Sequence, residues 1–532
     1  MDYDVIVVGS GFGGSVCALR LAQKGYRVAV LEQGRRIGPA DMEAAAKSLR
    51  KLFWLPALGL KGFFSQHIYR HVGIVGGVGV GGGSLVYAAV LLEPKRTFFE
   101  DPAWSCLGVD WARELAPHYQ MAKRMLGVTT HPKLGEMDDH LRATAVTMGA
   151  GHTYGPVPVG ILFGEPGVVV DDPFFQGRGP QRTGCQHCGE CLTGCPYGSK
   201  NSLEYTYLYL AEALGVEILP ERKVTLVRPL DGGGYQVEMV HPYDRRQSYS
   251  PLTAGRVILA AGVLGTLTLL FRCRDEFKTL PGISSQLGRV VRTNSEAIVS
   301  VLHPDPEADL SQGTTISSDF YPNDDTHITQ NRFPQGYTFM KFYMGPLVDD
   351  PQPGRRALRT LRTLLRHPLR STTSWRARKW RQRVNVLTVM QDLDNQLTFR
   401  YERDLLGLFG KRLRSVPVPA HGSPTYLPEA NAAARALARH VGGEPANVLL
   451  ESVGGLSITA HILGGCPMGD SAESGVIGID HQVFGYPGLY IVDGSAVSAN
   501  VGVNPALTIV ALAERCTSLV PERRQDDPAP AP

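Results

Sequence analysis

The sequence predicts an α/β protein that contains a Rossmann-like dinucleotide-binding domain. The first observation behind this prediction is a strand–glycine turn–helix–strand unit within the first 32 residues. The second is the composition: 43% of the 532 residues are hydrophobic and the net charge is only +4, which supplies a large core and excludes a wholly disordered chain. The third is that the 60 glycines and 37 prolines follow no G-X-Y period, which excludes a collagen-like protein.

The amino-terminal unit has its parts in the order that nucleotide binding requires. Residues 5–8 (VIVV) form a continuous apolar run, which is typical of a strand buried on both faces. Residues 9–14 (GSGFGG) fit the G-x-G-x-x-G pattern, residues 15–24 have helical spacing, and a second strand over 27–31 ends at Glu32. Such a turn lets the backbone approach a pyrophosphate at the helix N-terminus, and the acidic residue accepts from a ribose 2′-hydroxyl. The nucleotide contacts predicted from this unit are Gly9, Gly11, Phe12, Gly13, Gly14 and Glu32. The unit leaves open whether the nucleotide is NAD or FAD.

An uncharged apolar stretch of 21 residues runs from 72 to 92, which is long enough to span a membrane. Because seven glycines interrupt it, we predict a buried glycine loop beside a strand or helix instead. The amino terminus has neither a basic n-region nor a cleavage site. Nine cysteines are too few for a disulfide scaffold in a chain of this length. We therefore expect a cytoplasmic protein without a signal peptide.

The positive charge is concentrated in one segment. Between Arg355 and Arg383 the sequence has eleven basic residues and no acidic one, so the rest of the chain is net acidic. Leucines at 358, 361, 364 and 365 follow a roughly helical spacing among the arginines. A basic amphipathic helix suits peripheral contact with an anionic membrane, or a solvated helix whose leucines pack on the body of the protein. No nucleic-acid-binding motif accompanies the segment, and nucleic acid is not an expected partner.

A second apolar segment covers residues 51–64 (KLFWLPALGLKGFF). Its aromatic and leucine side chains fit a hydrophobic lid over a binding site and fit a piece of the core equally well. The sequence leaves both interpretations open.

Three separated motifs lie in the sequence in the order 81–85 (GGGSL), 461–469 (HILGGCPMG) and 489–513 (LYIVDGSAVSANVGVNPALTIVALA). Together they resemble the glucose–methanol–choline (GMC) family of FAD oxidoreductases, in particular its bacterial cholesterol oxidase-like branch. The resemblance runs from residue 1 to about 516. It implies FAD as the cofactor, a small-molecule alcohol as the substrate, and O2 or another electron acceptor as the oxidant.

The resemblance also implies a Rossmann-like FAD-binding domain interleaved with a discontinuous α+β substrate-binding domain. On this basis 1–45 is the first part of the FAD domain, 181–290 holds a cysteine-rich loop and a further part, and 455–520 holds the last part with the catalytic motif. Residues 46–180 contain a FAD-covering loop and interleaved substrate-domain segments, and 291–454 is the substrate-binding domain. Residues 521–532, which end in QDDPAPAP, are predicted to be a disordered tail.

Oxidation of a carbinol needs a base for the hydroxyl proton and an electron-poor flavin that receives hydride. Histidine suits the first role because its pKa lies near neutrality, and the resemblance gives it to His461. Asn504 and Pro505 precede an apolar helical segment, 506–513, for which asparagine is a good N-cap and proline a favoured first residue. The partial positive charge of this helix end would stabilise the reduced flavin. The resemblance implies that Asn504 also helps His461 to hold the substrate oxygen.

Further FAD contacts follow from the resemblance. Gly464 and Gly465 would let the chain come close to the flavin ring. The remaining predicted contacts are Gly82, Gly83, Ser84, Val224, Ala261, Gly262, Asp493, Gly494, Asn504 and Pro505. Two features depart from the family pattern. Residues 86–89 (VYAA) replace an expected polar contact, and the active-site carboxylate has only candidates, Glu296 and residues 391–394.

Four cysteines lie within eleven residues. Cys185, Cys188, Cys191 and Cys195 have the spacing C-x₂-C-x₂-C-x₃-C-P of bacterial ferredoxins. In a cytoplasmic chain this density favours metal over disulfides, and the spacing fits zinc less well than iron. A [4Fe–4S] cluster would need all four cysteines or a remote ligand, whereas a [3Fe–4S] cluster needs three. The alternative is a structural loop with free thiols or disulfides.

Three hypotheses for the function follow. The first is oxidation of a hydrophobic alcohol, a sterol or a long-chain alcohol, to the ketone or aldehyde. The second is a polar alcohol or sugar dehydrogenase that passes electrons through an iron–sulfur cluster. The third is a non-catalytic redox flavoprotein, against which His461 and Asn504 argue because an electron carrier needs no base.

Overall fold

The computed structural model describes residues 1–244, 246–403, 410–419 and 421–523. Within them the predicted α/β fold is confirmed: two seven-stranded sheets each carry helices and a hydrophobic core of their own. The end of the predicted tail, from residue 524 onward, lies outside the described residues. No helix in the described ranges is both long enough and apolar enough to cross a membrane.

The first sheet is built around the predicted amino-terminal unit. Strand β1 (Tyr3–Val8) is followed by helix α1 (Phe12–Gln23) and strand β2 (Val28–Leu31), and all of Val5–Val8 is buried, as predicted. Strand β1 pairs in parallel with β2 on one side and with a later strand on the other. The order across the sheet is Glu217–Leu219, β2, β1, Leu252–Leu259, Tyr235–Val240 and Lys223–Pro229, with Leu489–Ile491 also paired to Leu252–Leu259.

The helices that cover this sheet come from distant parts of the chain. Helix α1 packs against Ala506–Leu519, which in turn packs against Trp111–Met125. Their buried faces join the strands in one core cluster. The carboxyl ends of β1 and Leu252–Leu259 therefore lie beside chain segments near residues 490 and 505, the edge at which α/β sheets bind ligands.

The second sheet is antiparallel and discontinuous in sequence. Its order is Met344–Pro346, Glu444–Val448, Ala297–Leu302, Val384–Gln391, Thr326–Asn331, Ser318–Asn323 and Gly155–Pro156. Helices Glu136–Thr147 and Pro428–Val441 pack on it through alanines and leucines. This arrangement agrees with an α+β unit assembled from separate segments, whereas the exact domain boundaries stay a prediction.

Smaller sheets connect the two large ones. Their strands are Lys411–Pro417, Leu397–Arg403, Val291–Arg292 and Leu463–Gly464 in one sheet, and Ser457–Thr459, Val72–Gly77 and Phe64–Ile68 in another. Three two-stranded pairs are Val169–Val170 with Arg182–Thr183, Trp54–Leu55 with Leu60–Lys61, and Thr129–Thr130 with Pro158–Val159. The other α-helices are Pro39–Lys47, Leu49–Leu52, Arg96–Phe99, Pro102–Ser105, Tyr207–Ala213, Gly262–Phe271, Pro353–Arg366, Pro368–Ser371, Thr373–Arg376, Trp380–Arg383 and Leu449–Ser452.

The structure shows what the two apolar segments, 72–92 and 51–64, form. In the stretch 72–92 a strand, Val72–Gly77, leads into a buried glycine loop and a short 3₁₀ helix, Gly82–Leu85, which confirms the predicted loop. The segment 51–64 divides: Phe63 is fully buried, while Leu58 is 72% exposed at the tip between two short strands. It is therefore partly core and partly an exposed tip.

Candidate active site

The turn between β1 and α1 is shaped for close backbone contact. A Cβ atom on Gly13 would lie 1.9 Å from the carbonyl oxygen of Val492, and one on Gly14 would lie 2.0 Å from that of Gly9. Glycine at these two positions therefore lets the helix pack against the sheet. At Gly11, by contrast, a Cβ would meet nothing within 4 Å. Gly11 is the N-cap of α1, so open space lies in front of the partly positive helix end, where a pyrophosphate fits.

A second glycine loop lies against this turn. A Cβ on Gly82 would lie 2.8 Å from the Cα of Gly11, and one on Gly83 would contact the ring of Phe12 at 3.4 Å. The Ser84 hydroxyl donates to the carbonyl of Gly81 at 2.7 Å and accepts from the backbone of Leu203, so it holds its own loop in shape. The structure thus brings Gly82 and Gly83 to the turn and places Ser84 behind them.

Glu32 ends β2 and is buried. Its Oε2 accepts from the Ser10 hydroxyl at 2.7 Å and from the Ser10 backbone at 3.1 Å, and its Oε1 accepts from Gly34 N at 2.8 Å. Burial raises the pKa of this carboxyl, although the same hydrogen bonds oppose the shift. A carboxylate has lone pairs left for a ribose hydroxyl. That role stays a prediction.

Other predicted cofactor residues meet at the same sheet edge. Gly262 has φ +73° and begins the helix that follows strand Leu252–Leu259. Asp493 caps the short helix of Gly494, and its carboxylate accepts from Ser495 N at 2.8 Å and from the Thr266 hydroxyl at 2.5 Å. Ala261 is the N-cap residue directly before Gly262, and Val224 lies half-buried in strand Lys223–Pro229. The hydrogen bond from Thr266 to Asp493 therefore holds the helix that begins at Gly262 against the segment of Asp493 and Gly494.

The predicted base, His461, is held by a carboxylate. Its Nδ1 lies 2.6 Å from Oε1 of Glu296, whose side chain is only 4% exposed. The Thr459 hydroxyl donates to the same oxygen at 2.7 Å and accepts from the backbone N–H of His461. Of the two carboxylate candidates from the sequence, the structure therefore selects Glu296. In the other candidate segment, Asp392 and Asp394 bond to Thr97 and Arg292.

The second ring nitrogen of His461 faces Asn504. The Asn504 Nδ2 lies 3.3 Å from Nε2 of His461, and the Asn504 Oδ1 is buried without a hydrogen-bond partner among the described residues. A carboxylate can only accept and an NH₂ group can only donate, so Nδ1 carries the proton and Nε2 carries the free lone pair. This is the tautomer that a base acting through Nε2 needs. The unpaired Oδ1 of Asn504 is also available to accept a hydrogen bond from a bound molecule.

One local expectation at this end was wrong. Asn504 does not cap the last helix: Pro505 occupies the N-cap position of Ala506–Leu519, and the asparagine side chain turns to His461 instead. Gly464 and Gly465 are required by protein packing, because a Cβ on the first would lie 1.9 Å from the carbonyl of Val290 and one on the second would press on Leu267.

Behind Glu296 lies a cavity that the sequence did not indicate. Its lining includes Glu451 and Arg356, and the backbone N–H of Ile298 donates to Oε1 of Glu451 at 3.2 Å. Burial raises the pKa of Glu451 to about 8, and the nearby Glu296 acts in the same direction. No short sequence motif marks Glu451 or Glu296. In the sequence, each is a single acidic residue next to an apolar run that is typical of a buried strand.

The four cysteines of the predicted cluster line one cavity. Burial raises the pKa of the Cys185 and Cys188 thiols to about 12, which keeps them protonated. The neighbouring Lys200 is buried and its Nζ donates to the carbonyls of Leu85 and Cys191, so the cysteine loop is tied to the end of the second glycine loop. Within the described residues, however, no group of three or more His, Cys, Asp or Glu side chains is placed to hold a metal ion. The described residues therefore do not show a metal site at this loop.

Comparison with known proteins places this geometry in context. A family model described as GMC oxidoreductase matches residues 368–513, and one described as an NAD(P)-binding Rossmann-like domain matches residues 7–63. The chain is 42% identical to a cholesterol oxidase of Mycobacterium tuberculosis (strain ATCC 25618 / H37Rv), over 99% of this chain and 93% of the relative. It is 38% identical to a cholesterol oxidase of Acinetobacter baumannii, over 98% and 95% of the two chains. A long-chain-alcohol oxidase of Arabidopsis thaliana is 23% identical over 98% of this chain and 68% of the relative.

Solved structures agree at the level of the fold. Pyridoxine 4-oxidase from Mesorbium loti matches with a TM-score of 0.63 at 16% identity, covering 97% of this chain and 98% of that one. An FAD-dependent oxidoreductase from Chaetomium thermophilum matches with a TM-score of 0.57 at 13% identity, with the same coverage. At such identities the likeness concerns the fold alone.

Proposed function

The chain belongs to the glucose–methanol–choline oxidoreductase family and is an FAD-dependent oxidoreductase acting on CH–OH groups, and from this premise we propose that its substrate is a hydrophobic alcohol, a sterol or a long-chain alcohol. The observation that carries the proposal is the contact of His461 with Glu296 on one side and Asn504 on the other. It supplies a base of fixed tautomer. The names of the relatives, cholesterol oxidases and long-chain-alcohol oxidases, support an apolar substrate.

The proposed cofactor site is the sheet edge between the two glycine loops. FAD, when bound, accepts the hydride that leaves the carbinol carbon. The open space at Gly11 would receive the pyrophosphate, Glu32 would hold the ribose, and Asp493 and Gly262 would line the flavin end of the site. Asn504 and Pro505 bring the N-terminal end of helix Ala506–Leu519 to the same place. This partly positive end favours negative charge on a neighbouring group.

The proton is handled by side chains of this chain. A substrate hydroxyl placed between Nε2 of His461 and Nδ2 of Asn504 donates to the first and accepts from the second, in place of their 3.3 Å hydrogen bond. As the O–H bond breaks, the proton moves to Nε2 and the C–O bond becomes a carbonyl while hydride leaves the carbon. Glu296 lies against Nδ1 and stabilises the imidazolium that forms. Asn504 keeps the oxygen in place.

The iron–sulfur cluster stays a separate proposal, supported by the ferredoxin spacing and by the shared cavity of the four cysteines. A cluster would make the protein a dehydrogenase with a protein or quinone acceptor. The reaction described above needs no cluster, because the base and the amide act on the substrate hydroxyl directly. Without one, O2 or a small acceptor would reoxidise the flavin.

The substrate class is tested by flavin bleaching under anaerobic conditions. The purified protein is mixed with a sterol, a long-chain alcohol, a short polyol and a sugar, and the loss of the flavin absorption band is followed. We expect the first two to bleach the flavin and the last two to leave it oxidised. Bleaching by the sugar alone would overturn the hydrophobic-alcohol proposal in favour of the polar alternative. Peroxide production on admission of air then distinguishes an oxidase from a dehydrogenase.

A further inference from the structure

The helix Pro353–Arg366 shows its apolar face to water. Leu358, Leu361 and Leu365 are 68%, 47% and 83% exposed, whereas Arg356 and Thr360 on the opposite face are buried. The next turn of chain continues the pattern, with Leu369 70% exposed. A surface helix of a globular protein normally turns its leucines to the core and its charges to solvent. The interpretation in which the leucines pack on the body of the protein is therefore wrong for these three, whereas Leu364 is half-buried.

Cations lie beside the exposed leucines. Counted at 100° per residue, the leucine stripe occupies one arc of the helix and Arg355, Arg359, Arg362 and Arg366 occupy the next arc. In the described part of the chain, Arg362 and Arg366 have no acidic partner, while Arg355 and Arg359 lie near the single carboxylate of Asp350. The surface thus has an apolar stripe that is bordered by four arginines, which share one carboxylate among the described residues.

The inverted orientation is fixed by a buried arginine. The guanidinium of Arg356 donates to the carbonyl of Asp350 at 3.0 Å, to the Thr425 hydroxyl at 2.9 Å and to the carbonyl of Glu451 at 3.1 Å. Turning the leucines inward would expose this arginine and leave those three acceptors without their donor. The hydrogen bonds of Arg356 therefore keep the leucine face of this helix exposed.

We propose that the helix face formed by Leu358, Leu361, Leu365 and the neighbouring arginines is a docking surface for an anionic lipid bilayer. The leucines enter the boundary between headgroups and acyl chains, and the arginines bond to lipid phosphates. Charge complementarity selects this occupant. A second copy of the chain would bring two sets of arginines together, which is repulsive. An acidic protein is the alternative that the experiment must separate.

The surface is attached to the wall of the candidate active site. Glu451, whose carbonyl accepts from Arg356, lines the same cavity as Arg356 and Glu296. Glu296 in turn contacts His461. The docking helix is therefore linked, through the lining of this cavity, to the carboxylate that holds His461. Docking on a bilayer does not depend on the proposed function.

The test is cosedimentation of the full-length, FAD-loaded protein with vesicles. One set contains phosphatidylcholine with about a third phosphatidylserine, and the other contains phosphatidylcholine alone. We expect binding to the anionic vesicles that weakens with added salt. Replacing Leu358→Ser and Leu365→Ser together should lower the affinity by roughly tenfold or more, and Arg362→Gln with Arg366→Gln should lower it by about tenfold.

The matched control is Leu214→Ser, a leucine that is 53% exposed far from the basic segment and should leave binding unchanged. Turnover of a water-soluble alcohol and the flavin spectrum should be equal in all variants, since none of these residues belongs to the proposed catalytic or cofactor site. No sedimentation of wild type with anionic vesicles would overturn the proposal and leave an acidic protein as the partner. Equal loss in the Leu214→Ser control would overturn it as well. If no hydrophobic alcohol bleached the flavin while the protein still bound anionic vesicles, only the proposed function would be contradicted.

Discussion

Nδ1 of His461 lies 2.6 Å from Oε1 of Glu296, although 165 positions of the chain separate the two residues. The contact forms because strand Ala297–Leu302, which Glu296 precedes, runs next to the segment Ser457–Thr459 that leads to His461. It orients the imidazole so that Nε2 faces Asn504. The proposed base, the carboxylate that orients it and the amide thus come from three separate parts of the sequence.

Glu296→Gln should lower kcat on the order of 10²–10³-fold. The amide can donate to Nδ1, which favours the tautomer with its proton on Nε2, so that the lone pair is lost from the catalytic nitrogen. The KM should change little, because the substrate hydroxyl contacts His461 and Asn504 instead. Steady-state kinetics and the flavin spectrum measure this. The exposed Glu473→Gln variant is the control, and an unchanged kcat in Glu296→Gln would remove the carboxylate from the mechanism.

Gly11→Val should abolish FAD binding while the apoprotein folds. The Cβ of the new side chain has no protein atom within 4 Å, so the backbone of the turn can keep its shape while the valine fills the space in front of α1. Gly13→Ala should act differently, because its methyl would meet the carbonyl of Val492 and destabilise the fold. The flavin-to-protein ratio and the thermal midpoint of each apoprotein separate the two effects. Gly232→Val, also in open space but in a distant turn, should bind FAD normally.

Glu451 should make the stability depend on pH. Its folded-state pKa of about 8 lies above the ordinary value of 4.5, so the folded chain holds an extra proton between these values. The stabilising contribution is complete below about pH 4.5, declines as the pH rises, and is lost above about pH 8. Relative to Glu451→Gln, the wild-type free energy of unfolding should fall by on the order of 2–5 kcal/mol over this window. Denaturant titrations at both ends measure it. An equal difference between the two proteins at pH 5 and at pH 8.5 would contradict the prediction.

The cysteine loop is tested by anaerobic reconstitution with iron and sulfide. On the cluster proposal the wild type binds both, and Cys188→Ser and Cys191→Ser lose them while substrate still bleaches the flavin. Cys106→Ser, an exposed cysteine outside the loop, is the control. A reconstituted wild type that holds no iron and no sulfide would leave the four thiols as structural side chains.

The sequence predicted what depends on neighbours in the chain. Strand β1, the glycine turn and α1 follow one another in the chain, and the apolar run and the glycines predicted this unit correctly. His461 and Asn504 were predicted as site residues because each lies in a recognisable motif, and the structure brings their side chains together. Glu296 was only one of two candidates, since no periodicity links it to a histidine so far along the chain.

Other features depend on packing that a pattern does not contain. The spacing of leucines predicted a helix near 355–366 but not which face turns inward, and the hydrogen bonds of Arg356 decide that. Likewise, the sequence did not show that packing requires Gly464, because the carbonyl oxygen of Val290, 1.9 Å from where a Cβ would lie, belongs to another segment. In both cases the partner group lies in a distant segment.

In the proposed mechanism, Nε2 of His461 takes the hydroxyl proton of a hydrophobic alcohol. Single-turnover bleaching of the flavin in wild type and His461→Ala under anaerobic conditions tests this step, with a long-chain alcohol or a sterol as the reductant. We expect equal FAD content and a rate of bleaching that is lower by on the order of 10²–10⁴-fold in the variant. Bleaching of the variant at the wild-type rate would contradict it.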